Sequence, residues 1–296
     1  MRQVTPFPPF DPDGAEAERG RRLRAISLRA IFPSMLTLLA IGAGLTSIRF
    51  AVENRVELAI GAIILAAFLD GIDGRVARLL KSASRFGAEL DSLADFVNFG
   101  VAPAMLVYFT LTDSLKSFGW IAALIYAICA CLRLARFNVA LEQKSRPKWQ
   151  GAFFVGVPAP AGALTVLAPV YAYLLGLDDT LALDVIAAIY TVLIGLLMVS
   201  RWPTWSGKEL GRSIPRAHVL PFLILGVGFV ALLLSYPWQV MLAGVITYLA
   251  TIPFSMRDWT RRLGGKTAGV EDEPDAPSQA AANAADDAMK NPDLQG

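Results

Sequence analysis

Long apolar runs recur along the whole sequence, separated by short polar segments. Most have about 18–22 residues, enough for a helix to cross a hydrocarbon core of about 30 Å. Because backbone polar groups must pair internally in lipid, such runs predict an all-α, polytopic membrane helical bundle. We predict eight transmembrane helices, at about 33–50, 56–70, 91–111, 118–134, 153–175, 181–200, 219–236 and 238–256. The second run is short, so we expect its helix to start earlier or to continue past residue 70.

The positions of the basic residues predict the orientation of this bundle. When the N-terminus is placed inside, Arg49, Arg55 and Lys116 are the only ones of the 27 Lys and Arg residues that fall outside. Loops on the cytoplasmic side of membrane proteins are enriched in Lys and Arg. We therefore expect both termini to be cytoplasmic, in a multi-pass protein of the inner (cytoplasmic) membrane. The net charge of +2 reflects this sidedness and does not indicate a nucleic acid partner.

The composition also divides the chain into four segments. Residues 1–18 are rich in Pro and acidic residues and are predicted to be disordered. Residues 19–32 predict a basic juxtamembrane helix on the inner leaflet, although a plain positively charged flank explains them as well. The transmembrane domain covers 33–256, and 264–296 form a disordered acidic tail.

The cysteines and the histidine argue against a zinc site. Cys129 and Cys131 lie two apart within one predicted helix, so they point to different faces and cannot easily pair. His218 is the only histidine of the sequence. The sequence therefore argues against a metal or catalytic site based on histidine.

Four carboxylates lie at the ends of two apolar segments. Asp70 and Asp73 are three apart, and Asp91 and Asp95 are four apart, so each pair shares one face of a helix. The loop between them is short, so the two helices are antiparallel neighbours and the four acids meet at one membrane depth. Four bare carboxylates there would repel one another. Oxygen-only ligands favour Mg²⁺, Mn²⁺ or Ca²⁺, and two such cations would balance the four charges.

Glycine and arginine residues beside these acids suit a phosphate ligand. Gly74 follows Asp73 directly and removes a side chain there, while Arg75 and Arg78 supply positive charge. Metal ions with nearby arginine are the usual components of phosphoryl transfer sites. The alternative is that these acids are loop charges paired with the bases. Asp91 and Asp95 argue against this alternative, because they begin an apolar helix, where an unpaired acid is costly.

The spacing Asp70-x-x-Asp73-Gly74-x-x-Ala77-Arg78, eight residues, Gly87-x-x-x-Asp91-x-x-x-Asp95 resembles the signature of the CDP-alcohol phosphotransferase family. The resemblance implies an integral membrane enzyme, expected to be a homodimer, that displaces CMP from a CDP-linked lipid with an alcohol. It implies that Asp70, Asp73 and Asp91 bind Mg²⁺ or Mn²⁺, and that Asp95 is the general base and a further metal ligand. By the same resemblance, Gly74, Arg78 and Ser84 bind CDP-diacylglycerol.

Three further segments resemble the bacterial members of that family whose alcohol is L-serine: "CLRLARFNV", "FVGVPAPAGA" and "MVSRWPTWSGK". The expected reaction is transfer of the phosphatidyl group from CDP-diacylglycerol to L-serine within the membrane. The carboxylate of serine needs a cation, and Arg133, Arg136 and Asn138 are the candidates. The two arginines also suit a phosphate contact or an anchor at the membrane surface.

Two other functions remain open on the sequence. One is the same chemistry with another alcohol, such as choline, glycerol phosphate or inositol phosphate. The other is a cation transporter that uses the aspartates as its pathway. A transporter would distribute acids through the membrane depth, whereas here they gather at one side.

Overall fold

The computed structural model describes residues 28–80, 85–142, 153–205 and 219–267. In these ranges the chain is helical apart from connecting turns and one sheet of two short strands. The first half contains α1 (Leu28–Val52), α2 (Val56–Leu79), α3 (Arg85–Asp95), α4 (Ala102–Val107) and α5 (Ser117–Glu142). The second half contains β1 (Phe153–Val155), α6 (Ala159–Val166), α7 (Ala168–Leu174), α8 (Leu181–Val199), β2 (Pro203–Trp205), α9 (Val219–Ser235) and α10 (Pro237–Thr267).

The described helices confirm a polytopic helical membrane protein. Five are long and apolar enough to cross a membrane: Phe32–Val52, Phe86–Leu115, Ser117–Ala140, Leu181–Val199 and Pro237–Thr260. Two shorter apolar helices cover Ala159–Leu174 and Val219–Ser235. The helix of the second run, α2, continues past Asp70 to Leu79, as expected. The count of eight spans and the orientation of the termini stay predictions.

The predicted boundaries differ from the structure at both ends of the chain. Most of the predicted juxtamembrane helix and of the acidic tail lies outside the described residues. Of these two segments, residues 28–32 belong to α1. Residues 264–267, assigned from composition to the tail, are the last turn of α10.

The third predicted span is a helix whose winding changes twice. Two π-helical segments, Phe96–Val101 and Tyr108–Thr112, flank α4, and a short 3₁₀ turn follows them. Pro103 near the start of α4 has no N–H to offer the carbonyl of Phe99, four residues earlier. The Tyr126 hydroxyl of α5 donates to that carbonyl over 3.1 Å. The wider π-helical turns thus begin directly after Asp95, inside the third span.

The fifth predicted span, at about 153–175, is only partly helical. Its first three residues form β1, which pairs antiparallel with β2 so that Phe154 faces Thr204. Two prolines, Pro160 and Pro169, stand in the first turns of α6 and α7, where a missing N–H costs little. This span therefore consists of a short strand followed by two short helices.

Close helix contacts fix the ends of the bundle. In the α1–α2 hairpin, the Ser47 hydroxyl donates to the Ala59 carbonyl over 2.8 Å. In the α5–α8 pair, a Cβ at Gly195 would lie 3.1 Å from the Tyr126 backbone, so glycine lets the helices approach closely. Because successive long helices run in opposite directions, the C-terminal ends of α2, α5 and α8 lie together with the start of α3.

Candidate active site

Three carboxylates converge where α2 meets α3. One oxygen from each of Asp70, Asp73 and Asp91 lies within 4.8 Å of the others. Asp70 and Asp73 come from one face of α2, and Asp91 faces them from the first half of α3. The sequence therefore predicted correctly that acids 18–21 positions apart meet at one end of the bundle.

Asp73 is the most deeply placed of these acids. Its residue is 3% exposed, and the Thr37 hydroxyl of α1 donates to Asp73 Oδ2 over 2.8 Å. That hydroxyl also lies 3.1 Å from the Pro33 carbonyl, one turn earlier in the same helix. A buried charge needs such partners, because an unpaired carboxylate in the interior is costly. Thr37 thus connects α1 to the cluster.

Asp95 lies one turn deeper, at the last residue of α3. Its carboxyl group is within hydrogen-bonding reach of Asp70 and interacts electrostatically with Asp91. Its Oδ1 atom is buried and has no hydrogen-bond partner among the described residues. An orphaned carboxylate oxygen beside three other acids is free to accept a proton or to hold an ion.

The donor set fits a hard divalent cation. The cluster offers carboxylate oxygens, and no histidine or cysteine of the described residues joins it. Mg²⁺, Mn²⁺ and Ca²⁺ prefer such ligands, whereas zinc prefers nitrogen and sulfur. The three converging acids are Asp70, Asp73 and Asp91; Asp95 lies outside that set, and its part in metal binding stays a prediction.

Two of the residues predicted to bind the CDP-lipid, Gly74 and Arg78, lie on the exposed continuation of α2. A Cβ built on Gly74 meets nothing within 4 Å, so the surface beside Asp73 is open. Arg78 is exposed one turn further on. Ser84, the third residue of this prediction, lies outside the described residues.

Arg133 approaches the cluster from α5. It is buried, at 9% exposure, and its Nε atom has no hydrogen-bond partner among the described residues. Its guanidinium interacts electrostatically with Asp95 and stands 5.8 Å from the centre of the Phe137 ring. A buried, incompletely paired cation next to the carboxylates makes a site for an anionic group.

Arg136, one turn later, has a different environment. Its guanidinium donates to the carbonyls of Val199 and Ser200, the latter over 3.2 Å. These carbonyls are at the C-terminal end of α8, where free acceptors and the helix dipole attract a cation. Arg136 therefore joins α5 to α8, and its side chain is exposed.

Asn138 contacts α3 at the residue after Asp91. Its Nδ2 atom donates to the Ser92 hydroxyl over 2.9 Å, and that hydroxyl lies 3.1 Å from the Ala88 carbonyl. Ser92 directly follows Asp91 in α3. Of the three residues predicted to bind serine, Arg133 and Asn138 therefore lie beside the acids, whereas Arg136 is bound to α8.

Sequence reasoning missed two polar contacts of this site. Thr37 belongs to an apolar run, and no spacing connects it with Asp73. Tyr248 of α10 has a buried hydroxyl that approaches Thr204 of β2 without a well-formed hydrogen bond, and it interacts electrostatically with Arg133. Both residues are far from the acids in sequence, so no local pattern identifies them.

Comparison with protein families agrees with this architecture. A model described as CDP-alcohol phosphatidyltransferase matches residues 30–199, which include all four aspartates and the three predicted serine contacts. A second model, CDP-alcohol phosphatidyltransferase 2, matches residues 218–253, which cover α9 and half of α10. The chain belongs to the CDP-alcohol phosphatidyltransferase family, which confirms the family predicted from the motif.

Curated relatives with one shared name cover most of the chain. A CDP-diacylglycerol–serine O-phosphatidyltransferase of Mycobacterium leprae is 42% identical over 81% of this chain and 79% of its own length. The protein of that name from Mycobacterium tuberculosis is 39% identical over 81% of this chain and 82% of its own. The one from Methanocaldococcus jannaschii is 37% identical over 63% of this chain and 82% of its own.

Proposed function

We propose that this protein transfers the phosphatidyl group of CDP-diacylglycerol to the hydroxyl of L-serine, giving phosphatidylserine and CMP. The observation that carries the proposal is the meeting of Asp70, Asp73 and Asp91 beside Asp95 and the buried Arg133. The relatives named above support serine as the acceptor. The chemistry needs a charged nucleotide-lipid and a small zwitterion at one place, and the site offers ligands of both signs.

In the proposed reaction, the serine oxygen attacks the phosphorus that carries the diacylglycerol. The new O–P bond forms as the P–O bond to CMP breaks, and the bonding electron pair leaves with the CMP oxygen. The serine hydroxyl proton passes to Asp95, whose Oδ1 is buried without a partner among the described residues. A serine hydroxyl is a weak nucleophile near neutral pH, so a base at this position has a clear purpose.

The acids Asp70, Asp73 and Asp91 would hold Mg²⁺ or Mn²⁺, and we expect two cations with Asp95 as a further ligand. When bound, divalent cations neutralise phosphate oxygens and so lower the barrier for in-line displacement. Thr37 fixes the orientation of Asp73 for this purpose.

The substrates are expected on opposite sides of the acids. Gly74 leaves open surface for the pyrophosphate, with Arg78 and Ser84 as its further predicted contacts. Arg133 is the favoured partner for the serine carboxylate because it is buried and incompletely paired. Asn138 is placed to contribute through its position next to Ser92, while the Arg136 guanidinium is engaged by α8.

We propose that the site faces the cytoplasm, on the inner side of the inner membrane. The Lys and Arg residues gather on that side, and soluble serine and CMP can enter and leave there. The homodimer stays a prediction from the family resemblance. A measurement of the mass of the protein in nanodiscs tests it, because it counts the chains in each particle. A cation transporter would need acids through the membrane depth, whereas the described cluster lies at one end of the bundle.

Release of CMP by the purified protein tests the proposal. The assay contains CDP-diacylglycerol, Mg²⁺ or Mn²⁺, and either L-serine, choline, glycerol phosphate or inositol phosphate. We expect release with L-serine, loss of release in EDTA, and recovery when the cation is restored. Release with another alcohol in preference to serine would overturn the serine assignment, and full activity in EDTA would overturn the metal.

A further inference from the structure

Helix α10 turns a narrow, partly polar face towards the bundle. Val245, Ile252 and Ser255 are buried and Tyr248 is half-buried, at spacings of three and four residues, so all four share one face. The other residues of the helix up to Thr260 are exposed or half-buried. Polar side chains on the inward face of a lipid-exposed helix are costly unless they serve a partner or a ligand.

Both polar groups on this face lack a hydrogen-bond partner among the described residues. The Tyr248 hydroxyl and the Ser255 hydroxyl are both buried and unsatisfied. Burying a hydroxyl without a partner typically costs about 1–3 kcal/mol. A buried hydroxyl without such a partner is available to a ligand.

The Tyr248 hydroxyl and the buried guanidinium of Arg133 lie within electrostatic range of each other. The two groups interact electrostatically, and Arg133 Nε is itself unsatisfied. Arg133 also interacts electrostatically with Asp95. An orphaned N–H and an orphaned O–H near each other are two donors suited to one small anion.

The position of α10 is well fixed. Near its first turn, the Trp238 ring stacks on Tyr171 of α7, with centroids 6.5 Å apart and planes 16° apart. Further along, Tyr248 lies against Thr204, whose hydroxyl donates to the Gly156 carbonyl over 2.8 Å. The β1–β2 pair and α7 therefore hold α10 against the site from two sides.

We propose that α10 completes the acceptor pocket, and that the Tyr248 hydroxyl and the Arg133 guanidinium together bind the carboxylate of the acceptor alcohol. The inference rests on the proposed function in taking the acceptor to be an alcohol that bears a carboxylate. It makes Tyr248 a specificity-determining residue, contributed by the part of the chain beyond the first family match.

Tyr248→Phe tests this role, because it removes the hydroxyl and keeps the ring. CMP release is measured with the full-length protein in nanodiscs, varying L-serine and CDP-diacylglycerol separately. We expect the KM for L-serine to rise about 10- to 100-fold, the effect of losing a hydrogen bond to a charged group, and the KM for CDP-diacylglycerol to change less than about twofold. The control is Tyr236→Phe, an exposed tyrosine before α10, which should leave both values unchanged.

A substrate analogue separates recognition from a general structural effect. Serinol replaces the carboxylate of serine with a neutral hydroxymethyl group. The ratio of kcat/KM for L-serine to that for serinol should fall about 10-fold or more in Tyr248→Phe. Arg133→Lys, which keeps the charge and loses the fork of donors, should shift the ratio in the same direction.

Three results would overturn the inference. One is a Tyr248→Phe enzyme whose two KM values match those of the wild type. Another is an equal fall in kcat/KM for L-serine and serinol, which indicates a structural effect. The third is a rise in the KM for CDP-diacylglycerol alone, which would assign Tyr248 to the lipid phosphate. In all three the wild type still uses serine, so the proposed function stands; a wild type that uses only alcohols without a carboxylate would overturn both.

Discussion

Two aspartates of the cluster have different surroundings, which suit the different tasks proposed for them. Asp73 is buried and held by the Thr37 hydroxyl, so its orientation is fixed before any ligand arrives. Asp95 keeps one oxygen buried without a partner among the described residues. A fixed carboxylate suits a metal ligand, and an unsatisfied one suits proton transfer.

Thr37→Val should weaken the metal site without removing a ligand. Valine has a similar shape but no hydroxyl, so Asp73 loses its partner from α1. Loss of a hydrogen bond that orients a metal ligand typically costs about 10–100-fold in metal affinity or activity. We expect the Mn²⁺ concentration for half-maximal CMP release to rise about 10-fold. Thr46→Val is the matched control, since the exposed Thr46 donates within its own helix, to the Gly42 carbonyl; equal behaviour of the two variants would exclude the role of Thr37.

Asp95→Asn should slow the chemical step. Asparagine keeps the size and removes the proton acceptor, so CMP release should fall at least ~10²-fold, the lower range for losing general-base catalysis. Binding of CDP-diacylglycerol should stay nearly normal, and saturating Mn²⁺ should not restore the rate. Asp113→Asn, at an exposed residue of the 3₁₀ turn, serves as the control. A defect that excess Mn²⁺ restores fully would show that Asp95 serves only as a metal ligand and would exclude the role of base.

At the level of elements, the third span brings α1 and α5 together around its π-helical segment. In that segment Asn98, Phe99 and Gly100 are all buried. Gly44 of α1 faces it so closely that an added Cβ would lie 2.1 Å from Asn98 Oδ1 and 3.3 Å from its Cα. The wider turns of the π segment follow Asp95 directly, so this packing also bears on the position of the proposed base.

Gly44→Ala should therefore destabilise the bundle. The new methyl group must push Asn98 or its backbone aside, and overpacking of this kind costs about 1–3 kcal/mol. Thermal unfolding in detergent measures the effect as a lower melting temperature. Gly42→Ala lies on the same helix with nothing within 4 Å, so it should be neutral or slightly stabilising. Equal melting temperatures for the two variants would contradict the close contact.

At the level of the whole molecule, alternating helix directions decide which polar groups can meet. The cluster lies where α2 ends and α3 begins, and the ends of α5 and α8 arrive at the same side. The loop before α8, with the exposed Asp179, lies at the opposite end. The exposed Arg257, late in α10, lies towards the end that holds the carboxylates.

Cysteine labelling tests the proposed sidedness. Single cysteines are introduced as Asp179→Cys or Arg257→Cys after Cys129 and Cys131 are replaced by alanine. A membrane-impermeant maleimide applied to intact cells should label only the cysteine at 179, and broken cells should allow labelling at 257. The reverse pattern would place the active site outside and would contradict the orientation taken from Lys and Arg.

The sequence by itself determined the features that depend on local spacing. Apolar runs fixed the helical bundle, and the spacing of Asp70 and Asp73, like that of Asp91 and Asp95, placed each pair on one helix face. A short loop between two helices then had to bring the pairs together. Arg133 was also found as a candidate, because its charge in an apolar run is visible without any structure.

Only the tertiary structure decided which partners these residues have. Thr37 and Tyr248 join the site from helices far away in the chain, and Arg136 is bound to the end of α8. The strand at Phe153–Val155 exists because it pairs with residues 203–205. The physical reason is the same in each case: hydropathy and helical period report what one segment prefers, whereas hydrogen bonds and close contacts between segments depend on how whole helices pack.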